Sequence, residues 1–262
     1  MFTSPFSIRV LVIAFFDAIK KKFADMTIRT YALDSLIYRA IAEIEEAVNE
    51  LDKRDPDYHM KMGRTMELFA IESSTSKVMG SETIGFCTDE GIQIMGGYGF
   101  MEEYLIAQAY RDCRIDRIWE GTNEINRQII TGYFMKKAFL NEIPIREHMA
   151  ECNNFLNLEK LVSPHSSLTK QMNILETAKY LVLTIFNEAL NEFGQDLKNE
   201  QMLGESLADC FMDIYATDST LSRVNQQVES NGHDSVLIQI AQVLTCLLYT
   251  SDAADEGLGV DL

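Results

Sequence analysis

The chain has 262 residues, of which 47% are hydrophobic and 24% charged, the balance of a globular protein with one large or two modest domains. Its 23 basic against 40 acidic side chains leave a formal net charge of −17, which argues against nonspecific nucleic-acid binding and against attraction to anionic membrane surfaces. No run of about 18 apolar residues is present to cross a membrane, and Cys87, Cys113, Cys152, Cys210, Cys246 and the four histidines stand at no metal-ligand or nucleophile–base spacing. The odd cysteine count reads as reduced thiols, which fits the bacterial cytoplasm or the mitochondrial matrix.

The first residues, MFTSPFSIRVLVIA, contain an apolar run that could pass for a signal-peptide core. It lacks a small-residue cleavage site, and Lys20, Lys21 and Lys22 follow it on the wrong side. It does not read as a signal peptide, and residues 1–15 are expected to be a non-native leader. From 16 to 51, Ile19, Phe23, Met26, Leu33, Ile37, Ile41, Ile44 and Val48 recur every three or four positions with neither Gly nor Pro between them, the pattern of a long amphipathic helix. Asp55-Pro56 ends it and starts a second, because Asp caps and Pro is preset for a first helical turn. That second helix carries Met60, Met66, Phe69, Val78, Ile84 and Ile92 and closes on Gly96-Gly97. A shorter third helix is expected over 103–117, and a fourth after Thr122, ending before Pro144.

Nothing in this half alternates with the period of a strand. The fold class is therefore all-α, an antiparallel four-helix bundle over 16–143 followed by a second helical region over 144–245. The boundary falls at 141–150, where Pro144 interrupts and polar residues gather. Beyond it, amphipathic patterns run over 168–197 and 199–224. The final CLLYTSDAADE and GLGVDL resemble the translation of a sequencing-library adapter, so the tail from 246 onward is expected to be foreign.

The most informative stretch is RDCRIDRIWEGTNEINR, residues 111–127. A helix alternating Arg with Asp ends near Ile118 and Trp119, and Gly121 breaks the pattern. Thr122 is a good N-cap and Ile125, Ile129 and Ile130 open the next apolar stripe, so Glu120 sits just before a helix N-terminus, where backbone N–H groups favour negative charge. Trp119 and the neighbouring isoleucines are expected to strip water from this carboxylate and raise its pKa toward that of a useful base. A solvated capping glutamate is the other reading of the same residues. Upstream, QIMGGYG at 93–99 closes a long helix on a glycine turn.

Taken together, QIMGGYGF and YRDCRIDRIWEGTNEINR closely resemble the C-terminal helical domain of the acyl-CoA dehydrogenases, in which Q-x-x-G-G-x-G precedes R-D-x-x-I-x-x-I-x-E-G-T-N-x-I-x-R. The resemblance covers residues 16–245, and the extension resembles the extra C-terminal helical domain of the very-long-chain branch. It implies FAD as cofactor and oxidation of a long-chain fatty acyl-CoA to trans-2-enoyl-CoA in fatty-acid β-oxidation, with Glu120 abstracting the α-proton while the flavin takes the β-hydride. By the same resemblance Gln93, Ile94, Met95, Gly96 and Gly97 would approach the FAD of a neighbouring subunit. Thr122, Asn123 and Glu124 would contact the FAD near its pyrophosphate and adenosine, and Gly121 would touch the substrate.

Electron-transfer flavoprotein is the implied electron acceptor, and a homo-oligomer, dimer or tetramer, the implied assembly. The family's N-terminal helical domain and middle β-domain have no counterpart in the sequence, so the chain reads as a fragment that carries the base without completing the site. Two alternatives stand beside this: a flavin-dependent acyl-CoA oxidase-like enzyme, although oxygen-using relatives typically change the base, and a non-catalytic helical assembly module in which Glu120 only caps.

Overall fold

A computed structural model describes residues 13–143, 145, 168–232 and 234–256. Among them the only regular structure is helix: α1 Asp17–Asn49, α2 Tyr58–Glu67, α3 Ala70–Met95, α4 Gly97–Phe100, α5 Leu105–Cys113, α6 Asn123–Phe139, α7 Thr169–Phe193, α8 Gln201–Asn231 and α9 Ser235–Glu256. Short 3-10 turns, Arg114–Arg117 and Gly194–Asn199, follow α5 and α7. The all-α expectation is met.

Local chemistry explains where the helix ends differ from the sequence pattern. The second helix begins at Tyr58 rather than at Pro56, because the Asp55 carboxylate accepts the Asp57 N–H at 2.8 Å and pairs with Lys61 in a closed turn. It is also divided at Leu68 and Phe69, so one expected helix becomes α2 and α3. The third helix starts at Leu105 and tightens to 3-10 over its last turn. The expected boundary at 141–150 lies largely outside the described residues, as do residues 1–12 of the leader and 257–262 of the tail.

Cross-helix contacts fix an antiparallel arrangement. Along α1 and α3, Lys22 pairs with Glu90 and the Arg29 guanidinium lies 4.4 Å over the Phe86 ring. Along α3 and α6, Asn123 meets Ser81 while Lys137, further on, reaches back to the Leu68 carbonyl. The core is shared by the bundle and the extension: Val78 of α3 and Ile130 of α6 pack with Val182, Phe186, Leu207, Phe211 and Met212 of α7 and α8. Phe134 stacks on Phe211 with ring centroids 3.9 Å apart, and Phe186 meets both edge-on. A second cluster, built on Leu175, Leu221, Val224 and Ile238, joins α7, α8 and α9.

A polar seam ties α8 to α1 and α7. Asp218 accepts from Arg39, and from Lys179 Nζ at 2.7 Å. Burial pushes the Asp218 carboxyl up, but the hydrogen bonds and charges of Lys179 and Arg39 outweigh it and hold the group below its ordinary value. A carboxyl lowered in the folded state adds stability above its unfolded pKa and loses it as pH falls through the folded value. An Asp218→Asn variant is therefore expected to be less stable than wild type at pH 7, by on the order of 1 kcal/mol, and the gap should close below about pH 4. Urea unfolding midpoints at pH 7 and pH 3 measure this.

Among the described residues Cys87, Cys113, Cys210 and Cys246 are in no disulfide, no cluster of side chains could hold a metal, and no helix is long and apolar enough to cross a membrane. Cys152 lies outside them.

Candidate active site

After the glycine turn at the end of α3, the chain doubles back along that helix. Small residues on α3 let it lie close: a Cβ at Gly91 would fall 2.9 Å from Ile106 Cδ1, and one at Gly85 would fall 2.3 Å from the Arg117 guanidinium. Between them Cys113 Sγ sits 3.3 Å from Thr88 Oγ1. The returning α5 and its 3-10 turn then deliver residues 119–122 to the part of α3 that carries Lys77 and Ser81.

Glu120 and Gly121 make that reversal, with φ of 53° and 87°. Both lie in the left-handed region, which glycine enters freely and which costs a residue with a Cβ roughly 1–2 kcal/mol. Thr122 caps α6 as expected, its hydroxyl accepting the Ile125 N–H at 3.3 Å. The Glu124 carboxyl is held below its ordinary value by the Thr122 hydroxyl and then by its own backbone N–H.

The turn is bound to α3 by polar contacts. Lys77 Nζ donates to the Gly121 carbonyl and to Asn123 Oδ1, each at 2.7 Å. Asn123 Nδ2 donates to Ser81 Oγ at 3.0 Å and to Glu82 Oε1 at 3.1 Å, and Asn126 Nδ2 donates to the Gly121 carbonyl at 2.9 Å. The Arg127 side chain, 12% exposed, pairs with Glu82 at 2.9 Å and Asp209 at 2.7 Å. Burial lowers the Lys77 pKa, against the opposing pull of Glu124, Asp116, Glu82 and Glu120.

The residues singled out in the sequence divide into two groups. Glu120, Gly121, Thr122, Asn123 and Glu124 form one turn. Asn123 is 3% exposed as a whole residue with its side-chain amide committed to α3, so it is spent on holding the turn. Gln93, Gly96 and Gly97 are exposed and Met95 is partly covered at the other end of α3, whereas the Ile94 side chain turns inward, at 7% exposure. About 21 Å of helix, at 1.5 Å per residue, separates Ser81 from Met95, which stands before the glycine turn. One chain therefore does not bring the two motifs into a common pocket.

One expectation is corrected. Glu120 is exposed, and Trp119 and Ile125, expected to strip its water, are themselves 57% and 53% exposed. They lie on the same open surface as the carboxylate, and an apolar group that is itself wet cannot exclude water from its neighbour. Lys77, Ser81, Asn126 and Arg127 were not among the sequence candidates. Their only signal is polar character at the i, i+4 spacing of Lys77 and Ser81 on one face of α3.

Residues 12–133 match the family model described as acyl-CoA dehydrogenase, C-terminal domain. A probable acyl-CoA dehydrogenase of Bacillus subtilis is 34% identical over 245 residues, which cover 93% of this chain and 41% of that protein. The human mitochondrial very long-chain specific acyl-CoA dehydrogenase is 30% identical over 239 residues, 83% of this chain and 33% of that protein. A crystal structure of an acyl-CoA dehydrogenase complexed with FAD from Bacillus anthracis superposes with a TM-score of 0.86 at 33% identity, over 92% of this chain and 41% of that one. The chain thus spans well under half the length of these relatives.

Proposed function

Because this chain belongs to the acyl-CoA dehydrogenase family, we propose that it supplies the helical base-bearing part of an FAD-dependent enzyme that oxidises a long-chain acyl-CoA to the trans-2-enoyl-CoA. Glu120 removes the α-proton, and FAD supplies the hydride acceptor. One observation carries this reading. Among the described residues, the other left-handed positions are filled by Gly96, Gly121, Gly194, Gly232 and Asn141, residues that tolerate that conformation, whereas Glu120 does not suit its own. A carboxylate kept where glycine would serve the backbone better points to a need for its side chain.

The residues present suit a flavin cofactor. A Cβ at Gly96 or Gly97 would meet nothing within 4 Å, so their backbone is open to close approach by a planar or phosphate-bearing group. Phe100 and Leu105 beside this turn are 83% and 84% exposed, which supports contact with a neighbouring subunit and its FAD. At the other motif, the N-terminus of α6 presents backbone N–H groups suited to an anion. Trp119, Ile118 and Ile125 are apolar and exposed beside Glu120, and an acyl chain or a covering surface would seal them. Electron-transfer flavoprotein as acceptor, a homo-oligomeric assembly and a cytoplasmic setting belong to the same reading.

The test is anaerobic bleaching of flavin absorbance by a long-chain acyl-CoA in the protein carrying this chain, comparing wild type with Glu120→Gln. Bleaching slowed roughly 10²–10⁴-fold in the variant is the expected result. Bleaching at the wild-type rate removes Glu120 from the role, and stoichiometric peroxide formed in air without another acceptor would identify an oxidase instead.

A further inference from the structure

Resting on the reading of Glu120 as the base, we propose that Lys77 is a positioning residue whose ammonium latches the Gly121 carbonyl and the Asn123 amide, and so fixes the turn on which the Glu120 carboxylate stands. The latch is a link between distant parts of the chain, since Lys77 is 44 residues before Gly121. Both of its contacts are 2.7 Å, the length of charge-assisted hydrogen bonds, which are about twice as strong as neutral ones.

The turn needs such a contact. Glu120 and Gly121 are consecutive left-handed residues, outside any helix, and the hydrogen bond that Thr122 accepts from Ile125 closes the first turn of α6, which continues directly from the reversal. The Gly121 carbonyl accepts from Lys77 of α3 and Asn126 of α6, donors on two different helices. Four carboxylates, Glu124, Asp116, Glu82 and Glu120, act on Lys77. The nearby Arg127 is already committed to Glu82 and Asp209, so Lys77 is the cation left to face this acidic cluster.

The latch can be read without flavin or substrate, in the 262-residue chain itself. In Lys77→Met, amide hydrogen exchange at Ile125 and Asn126, whose N–H groups bond to Thr122, is expected to quicken about tenfold, while the amides of α8 keep their wild-type rates. Lys77→Arg should return Ile125 and Asn126 to within about threefold of wild type, because the charge and donors are kept. Should the methionine variant not fold, Lys77→Gln, which keeps a donor and loses the charge, carries the same expectation at about threefold. Unchanged exchange at these amides overturns the latch, and so does an acceleration spread evenly over α3, α6 and α8, since Lys77 would then support the fold at large. In the flavin-loaded protein, Lys77→Met should lower kcat about tenfold with KM within about threefold. A raised KM with kcat intact would instead make Lys77 a binding residue. The exchange result stands even if Glu120→Gln bleaches normally, so failure of the latch and failure of the proposed base are separately visible.

Discussion

Replacing Glu120 by glycine is expected to stabilise the chain by about 0.5–1 kcal/mol while slowing flavin reduction roughly 10²–10⁴-fold. Relief of the left-handed conformation is worth roughly 1–2 kcal/mol, and the added freedom of glycine in the unfolded chain returns about 0.5–1 of that. The Glu120 side chain is exposed, so little packing is lost in exchange. Urea midpoints of the two proteins measure the first quantity and anaerobic bleaching the second. Opposite signs in stability and activity would mark a residue retained for chemistry. A glycine variant less stable than wild type would show that the turn is not strained and that Glu120 is not held there against a conformational cost.

Phe186→Ala should be the most damaging single change to the fold, at about 3–5 kcal/mol. The side chain is fully buried and bridges Phe134 of α6 and Phe211 of α8 from its own place on α7. Small proteins are stable by only about 5–15 kcal/mol, so this loss is a large part of the whole. Its spread matters as much as its size. Because the core is continuous from Val78 to Met212, exchange at the amides of α3 and of α8 should quicken together. If α8 opened while α3 kept its protection, bundle and extension would be separate cooperative units.

The parts of this architecture that depend on local sequence were legible in it. Thirty-three residues free of Gly and Pro make α1, and Thr122 before Asn123 makes the start of α6, because caps and periodicity act within a turn or two. The division at Leu68 and Phe69 left no such mark, since no Gly or Pro stands there. Contacts between distant segments were not legible at all. Lys77 reads as an ordinary charged position until the return of the chain along α3 carries Gly121 to it. The shared core of the phenylalanines likewise depends on α7 and α8 folding onto α3 and α6. The error over Glu120 has the same origin: Trp119 is its neighbour in sequence, but exclusion of water depends on what covers a residue from outside its own segment.

The long uninterrupted run of α3 between Ser81 and Met95 acts as a ruler. If the glutamate at one end serves one flavin and the glycines at the other end touch its neighbour, the spacing between two reaction centres in an assembly is set by one rigid rod rather than by loops. Deleting four residues of that rod would bring the ends about 6 Å nearer and turn one face about 40° relative to the other, so both centres would go out of register at once, although every residue that touches a cofactor would still be present.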